Sequence, residues 1–323
     1  MGNSRPTSAY AAAVASSLII GLSFIFVKLA LTEADPLDTL AHRFTLSFLA
    51  AMVPFAFGWV RLQSSWRDML RILPLALLYP IAFFAFQAYG LLYATSSEAG
   101  IIHATVPILT MLLAAYVLKE RSSLGQKLCT FLSVAGVIYI FAMKGLQLQA
   151  TSMKGILLIL ISALSLAGYS VLAKKLSQRQ IPMLDMTYVV TIAGFLGFNA
   201  IAVTRHSFAG TLGQFWQPLT HSTFTLSVFY LGVASSFISI FLSNFALSRL
   251  DASKASVFNN LATVVTIVAG VLFLGERLEY FHIVGAIVIV AGVVGSNMLG
   301  RRKSPLPKES LLLRDHTKPG RSV

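Results

Sequence analysis

The residues able to do chemistry in this chain are few, and most lie inside apolar stretches, where an unsatisfied polar group is costly. His103 and Asn259 stand 156 residues apart, at equivalent positions of an internal repeat described below. Gln87 and Asn244 are near-equivalents, one position out of that register, and Asn260 follows Asn259 but points about 100° away on a helix. Imidazole and amide groups can both donate and accept, which suits a polar or zwitterionic solute held without a fixed charge. The bland alternative is an interhelical hydrogen bond, which contributes about 0.6 kcal/mol on average. Tyr79, Phe83, Phe86, Tyr89 and Tyr169 offer ring faces for stacking on a solute, or equally for packing and lipid contact. Glu98 opens an apolar stretch five residues before His103, so the two are candidates for passing a proton. His42 and Arg43 have Glu33, Asp35 and Asp38 for company, and the expected arrangement is an ion-pair cluster at a membrane rim.

Other chemistries are not visible. The apolar stretches carry no activated nucleophile, paired-carboxylate site or metal cluster, and the chain has no Gly-rich phosphate loop with Lys-Ser/Thr. A lone cysteine, Cys129, cannot form an internal disulfide and reads as a small residue packed in a helix. An enzyme is not expected, and neither is a cofactor or a metal.

The elements that position these residues are set by composition. Of 323 residues, 56% are hydrophobic and 11% charged, whereas soluble domains carry about 25% charged residues. A spanning helix needs about 20 apolar residues, and ten such stretches follow one another at 10–31, 37–60, 69–93, 97–118, 122–142, 155–176, 182–203, 224–247, 252–274 and 281–298. The first follows Arg5 without a convincing cleavage site, so a retained helix is expected rather than a signal peptide. Most connections are short, which makes consecutive helices antiparallel neighbours. The exception, 204–223, offers Phe215 and Trp216 to the lipid–water interface.

The net charge of +13 does not point to nucleic acid, because the basic residues sit between apolar stretches and in the tail. Most Lys and Arg fall on one side when the N-terminus is placed inside, and the positive-inside rule then puts both termini in the cytoplasm of a multi-pass plasma-membrane protein. The tail, 300–323, is basic and proline-containing, so disorder beside anionic lipid is the expectation.

The chain also repeats. At a spacing of 156 residues, Ser97, Ala99, Thr110, Leu118, Glu120 and Arg121 recur as Ser253, Ala255, Thr266, Leu274, Glu276 and Arg277. Val-Ala-Gly-Val follows in both copies, at Val134–Val137 and Val290–Val293. Lys28 and Lys174 both end a helix, and Pro36 and Pro182 both open the next, at a spacing of 146. Five spans per half is an odd number, so the fourth and ninth helices run in opposite directions and the repeat is inverted. Pro54, Pro74, Pro80 and Pro107 interrupt spans of the first half and can bend them, while the last three spans have no proline. Gly21, Gly90, Gly100, Gly168, Gly194 and Gly197 would let helices approach closely.

Two five-helix halves, Glu-Arg after the fourth and ninth helices, the following Val-Ala-Gly-Val and the His42-Arg43-Phe44 sequence together resemble the drug/metabolite transporter superfamily, EamA type. The likeness covers about 10–300. It implies an all-α membrane protein of ten transmembrane helices, with one five-helix repeat over 10–143 and an inverted one over 153–299. Helices 1, 3, 4, 6, 8 and 9 and parts of 2 and 7 would surround a central cavity, with 5 and 10 peripheral and free to form a homodimer. Members are similar to exporters of amino acids and related small metabolites. Two positions depart from the pattern: Ile20-Gly21 lacks the tryptophan many members carry before glycine, and Thr263 stands where Pro107 would be echoed. The expected function is secondary transport of a small-molecule solute; a non-transporting membrane sensor or lipid-handling scaffold is the competing class.

Overall fold

The computed structural model describes residues 6–117, 123–146, 150–177, 181–242 and 252–299. All secondary structure among them is helical, as expected where hydrocarbon leaves the backbone no other partner for its polar groups. The helices used below are α1 (Pro6–Ala30), α2 (Pro36–Ala56), α3 (Trp66–Leu91), α4 (Ser96–Val117), α5 (Leu124–Leu146), α6 (Ala150–Ser177), α7 (Met183–Ala209), α8 (Ser222–Leu242), α9 (Ala252–Leu274) and α10 (Tyr280–Met298). Seven of them are long and apolar enough to cross a bilayer. Shorter apolar stretches lie at Leu124–Ile140, Leu261–Leu274 and Tyr280–Gly292, in α5, α9 and α10.

Local sequence explains where the helices begin and end. Asp35 caps α2 by accepting from the Leu37 N–H, with Pro36 in the first turn, where no donor is needed. Ser65 with Asp68 and Thr95 with Glu98 form capping boxes at the starts of α3 and α4. At the end of α7, Gly210 takes φ +67°, the left-handed cap that favours glycine.

Two helices are irregular in their middles. In α3, Leu77–Ala82 widens into a π-type turn around a cis Tyr79–Pro80 peptide, with Tyr79 extended at φ −141°, ψ 116°. In α8 the same kind of turn runs over Tyr230–Ile238 without any proline, which the proline count could not anticipate. Pro107 coincides with a break between Ser96–His103 and Val106–Val117 in α4, whereas α9, with Thr263 in its place, is continuous.

The helices pack as α1 on α9 and α8, α2 on α7 and α8, α3 on α6 and α7, α4 on α9 and α6, and α5 on α10. Some of the expected glycines are true contact points. A Cβ on Gly21 would sit 2.7 Å from Ala262 O, one on Gly90 2.6 Å from Ile159, and one on Gly194 2.6 Å from Phe44. Gly168 and Gly197 make only ordinary contact, at 3.4 Å from Leu78 and Ile81. The outer surface is apolar, with Tyr116, Phe131, Phe208 and Phe273 largely exposed, while Ser, Thr, His and one Arg are buried. That distribution belongs to lipid as the solvent. The connection after α7 corrects an expectation: Phe215 is buried beneath His42, with ring centroids 4.4 Å apart, and only Trp216 is exposed.

Candidate functional site: a buried arginine between two fastened ends

Contacts between helix termini define the two ends of the bundle. At one end, Lys28 at the close of α1 donates to the carbonyls of Leu91, the last residue of α3, and Ala94 beyond it. Asp38, in the first turn of α2 and buried, meets the end of α7: Arg205 donates to it at 2.9 Å, and His206 Nε2 lies 3.0 Å from its Oδ2. The other ring nitrogen of His206 bonds Thr211 Oγ1 at 2.8 Å, and Arg205 also binds Asp35 at 2.8 Å. A cavity of about 470 Å³ opens here, lined by Glu33, Asp35, Asp38, Arg205, His206 and Gln214 among others.

The same end carries two further fastenings. Glu276, just past α9, accepts from the N–H and hydroxyl of both Ser96 and Ser97 at the start of α4. Glu98 closes its own capping box through Oε2 and binds His282 Nε2 at 2.9 Å through Oε1. Because His282 Nδ1 accepts from the Glu279 N–H, its Nε2 carries the proton donated to Glu98. Glu98 is therefore paired with His282 of α10 rather than with His103.

At the opposite end a different carboxylate does the fastening. Asp185, in the first turn of α7 and buried, accepts from the Gln63 and Ser64 N–H groups at 2.9 and 2.6 Å, in the segment that follows α2. α2 and α7 are thus joined at one end by a carboxylate of α2 and at the other by a carboxylate of α7. Asp38 stands two residues after Pro36 and Asp185 three after Pro182, a signal in the sequence that would have found the second latch.

Between the ends lies Arg43, only 2% exposed. The expected rim cluster does not include it: the acids expected to meet it are engaged by Arg205, His206 and His221. Its guanidinium stacks 4.1 Å over Phe84 of α3, and donates to the hydroxyls of Ser236 at 3.1 Å and Ser235 at 3.4 Å in the irregular turn of α8. Close packing explains the contact, since a Cβ on Gly232 would sit 2.7 Å from Arg43 O.

The other sequence candidates fall in two groups. Tyr79 and Tyr169 lie together, with ring centroids 4.9 Å apart, beside the aromatic layer of Phe83 and Phe84. His103 packs edge-on between Phe24 and Phe83, and its Nε2 is buried with no hydrogen-bond partner among the described residues. Gln87 is buried one turn beyond Phe83 and Phe84, and Tyr89 is half-buried in the last turn of α3. Asn244 and the side chains of Asn259 and Asn260 lie outside the described residues. Beside the aromatic layer lies a void of about 10 Å³, room for one water, bordered by Phe44, Ser47, Tyr79, Pro80 and Ser236 among others.

An apolar helical bundle that turns its polar side chains inward and ties its helices at both ends is the architecture of a multi-pass membrane transporter. Residues 7–142 and 153–298 each match the EamA-like transporter family, and the chain belongs to that family. It is 53% identical over 303 residues, 94% of this chain and 97% of the relative, to a Bacillus subtilis (strain 168) protein named "Uncharacterized transporter YcxC". The S-adenosylmethionine uptake transporter of Rickettsia prowazekii (strain Madrid E) is 25% identical over 265 residues, covering 79% of this chain and 82% of that protein. A solved crystal structure with 20% sequence identity superposes over 92% of this chain and 99% of its own, with a TM-score of 0.59, which speaks for the fold.

Proposed function

We propose that this protein is a secondary transporter that carries a small amino-acid-like metabolite outward across the plasma membrane by alternating access. Its two family-matched halves would be inverted five-helix repeats, 10–143 and 153–299, with the three shorter apolar helices completing ten spans. The observation that carries this reading is the pair of latches on α2 and α7. Asp38 fastens one end and Asp185 the other, so releasing one while keeping its counterpart opens the bundle to a single side. The helix pairing supports the same reading, since exchanging the halves turns α1 on α9 into α6 on α4, α3 on α6 into α8 on α1, and α2 on α8 into α7 on α3, all of which occur. With both termini in the cytoplasm, as the Lys and Arg distribution favours, the Asp38 end faces outward.

The solute class rests on the buried Gln87 and the half-buried His103, Tyr79, Tyr89 and Tyr169, joined in sequence by Asn244, Asn259 and Asn260, and on the S-adenosylmethionine uptake transporter among the relatives. S-adenosylmethionine bears an α-amino acid group. The test is twofold: intracellular metabolites in cells with and without the gene, and counterflow of the accumulating compound in proteoliposomes. The expected result is accumulation of one amino-acid-like compound in cells lacking the gene, and saturable counterflow of that compound. Unchanged metabolite pools together with absence of flux would overturn the reading in favour of a scaffold or sensor.

A further inference from the structure

The irregular turns of α3 and α8 occupy corresponding places in the two halves. Leu77–Ala82 and Tyr230–Ile238 overlap when the first is advanced by 156 residues, the spacing of the repeat. Non-helical backbone at membrane depth is tolerated where it lines a cavity or is buried in protein, and paired interruptions in related halves mark solute sites in transporters. Arg43 of α2 is the charged group between these two turns: Phe84, just beyond the first, lies under its guanidinium, and Ser235 and Ser236 of the second receive its hydrogen bonds.

The electrostatics of that position are incomplete. A buried guanidinium is ordinarily paired with a carboxylate, because hydroxyls recover only part of its desolvation cost. Arg43 has five N–H donors, two hydroxyl acceptors among the described residues, and a fixed plane set by Phe84. Arg205 is bound to Asp35 and Asp38, Lys28 to backbone carbonyls and Lys154 to the Tyr93 hydroxyl, so these three cations are engaged elsewhere. One cation matches one negative charge. Arginine's planar fork fits a carboxylate through two parallel hydrogen bonds.

We infer that Arg43, placed where the irregular turns of α3 and α8 face α2, is the anchor for a carboxylate of the transported solute. The inference rests on the transport reading and adds to it the group by which the solute is recognised. The water-sized void bordered by Ser236, Tyr79 and Pro80 marks where the bundle has closed on the site. The hydroxyls of Ser235 and Ser236 hold the guanidinium until a carboxylate replaces them.

The test uses the full chain in lipid nanodiscs and reads thermal stabilisation by two panels. One panel is the proteinogenic L-amino acids with their carboxamide counterparts; the other is acetate, pyruvate, succinate and citrate. The expected result is stabilisation by at least one amino acid and none by its amide. Arg43→Gln should weaken binding of that acid by about a hundredfold, the range expected when one partner of a buried charge pair is removed. Arg43→Lys keeps the charge but loses the fork, and is expected to recover only part of the affinity. Both variants are checked for their unliganded melting temperature, and Ser236→Ala, which leaves the guanidinium in place, should retain the preference for acid over amide. Equal stabilisation by acid and amide would overturn the Arg43 assignment and leave transport of an amino-acid-like solute standing. Stabilisation by simple carboxylates alone would uphold Arg43 and overturn the amino-acid reading. No response to either panel from folded protein overturns both.

Discussion

Glu276 Oε2 accepts from Ser97 twice, from the N–H at 3.0 Å and the hydroxyl at 2.6 Å, while Oε1 does the same for Ser96. The glutamate that recurs in the Glu-Arg repeat thus caps a helix of the other half, tying the end of α9 to the start of α4. Both carboxylate oxygens lie at a helix N-terminus, where donors are otherwise orphaned and the dipole favours negative charge. Glu276→Ala should lower stability by about 2 kcal/mol, and Glu276→Gln by less, read as melting temperature in nanodiscs. Gly270→Ala should mimic the alanine variant, because the new Cβ would stand 2.5 Å from Glu276 Oε2. Unchanged melting in all three would show that the cap contributes nothing.

The latches of α2 and α7 predict opposite mutants. Asp38→Asn removes the charge that holds Arg205 and His206, and Asp185→Asn weakens the acceptor for the N–H groups of Gln63 and Ser64. A single cysteine placed at Ser47, buried beside the central void, in a Cys129→Ser background reports access. Asp38→Asn should raise labelling by an impermeant maleimide from the Asp38 side, and Asp185→Asn from the other, each by about tenfold if the latch is worth about 1.4 kcal/mol. Labelling that rises from the same side in both mutants would refute the two-gate arrangement.

Close approach also separates glycines that look alike in sequence. Gly194 and Gly197 stand one turn apart on α7, yet a Cβ on the first would collide with Phe44 and Pro80, and on the second would meet Ile81 at 3.4 Å. Gly194→Ala is expected to destabilise by about 1–3 kcal/mol through overpacking. Gly197→Ala should be neutral or stabilising by about 0.5–1 kcal/mol, as for glycine in a helix interior. Thermal unfolding of the pair decides, with equal losses counting against the contact geometry.

The contrast shows what sequence could and could not reveal. Hydropathy marks where helices run because lipid imposes it, and the Glu-Arg repeat is visible because its residues recur at one spacing. Partners across the bundle leave no such trace. Arg43 lies five residues from Asp38, which suggests a shared ion pair, but a helix turns about 100° per residue and presents Arg43 to α3 and α8 while Asp38 meets α7. Glu98 pairs with His282 rather than nearby His103 because α10 begins beside the start of α4. The irregular turn in α8 has no proline to announce it. Even the buried ring of Phe215 follows from the path of the chain after Gly210, which no periodicity records.

His103 is a further ionisable group beside the aromatic layer, and its setting yields a prediction on coupling. Its ring lies 5.2 Å from Phe24 and 5.6 Å from Phe83, with Nε2 unpaired among the described residues. An unpaired buried nitrogen carries an uncompensated desolvation cost, so replacing it by an apolar side chain should leave stability unchanged or raise it by about 1–3 kcal/mol. If the imidazole is where a proton is taken up during transport, its loss has a functional signature instead. His103→Leu is expected to fold as well as the parent and to exchange solute in counterflow with weakened affinity, yet no longer to accelerate when a pH gradient is imposed across proteoliposomes. Glu98→Gln, which keeps one acceptor oxygen for the Thr95 N–H and gives up the one that meets His282, should retain that acceleration because the carboxylate it replaces is committed to the helix start. A gradient response surviving in His103→Leu and lost in Glu98→Gln would move the proton site to the Glu98–His282 pair.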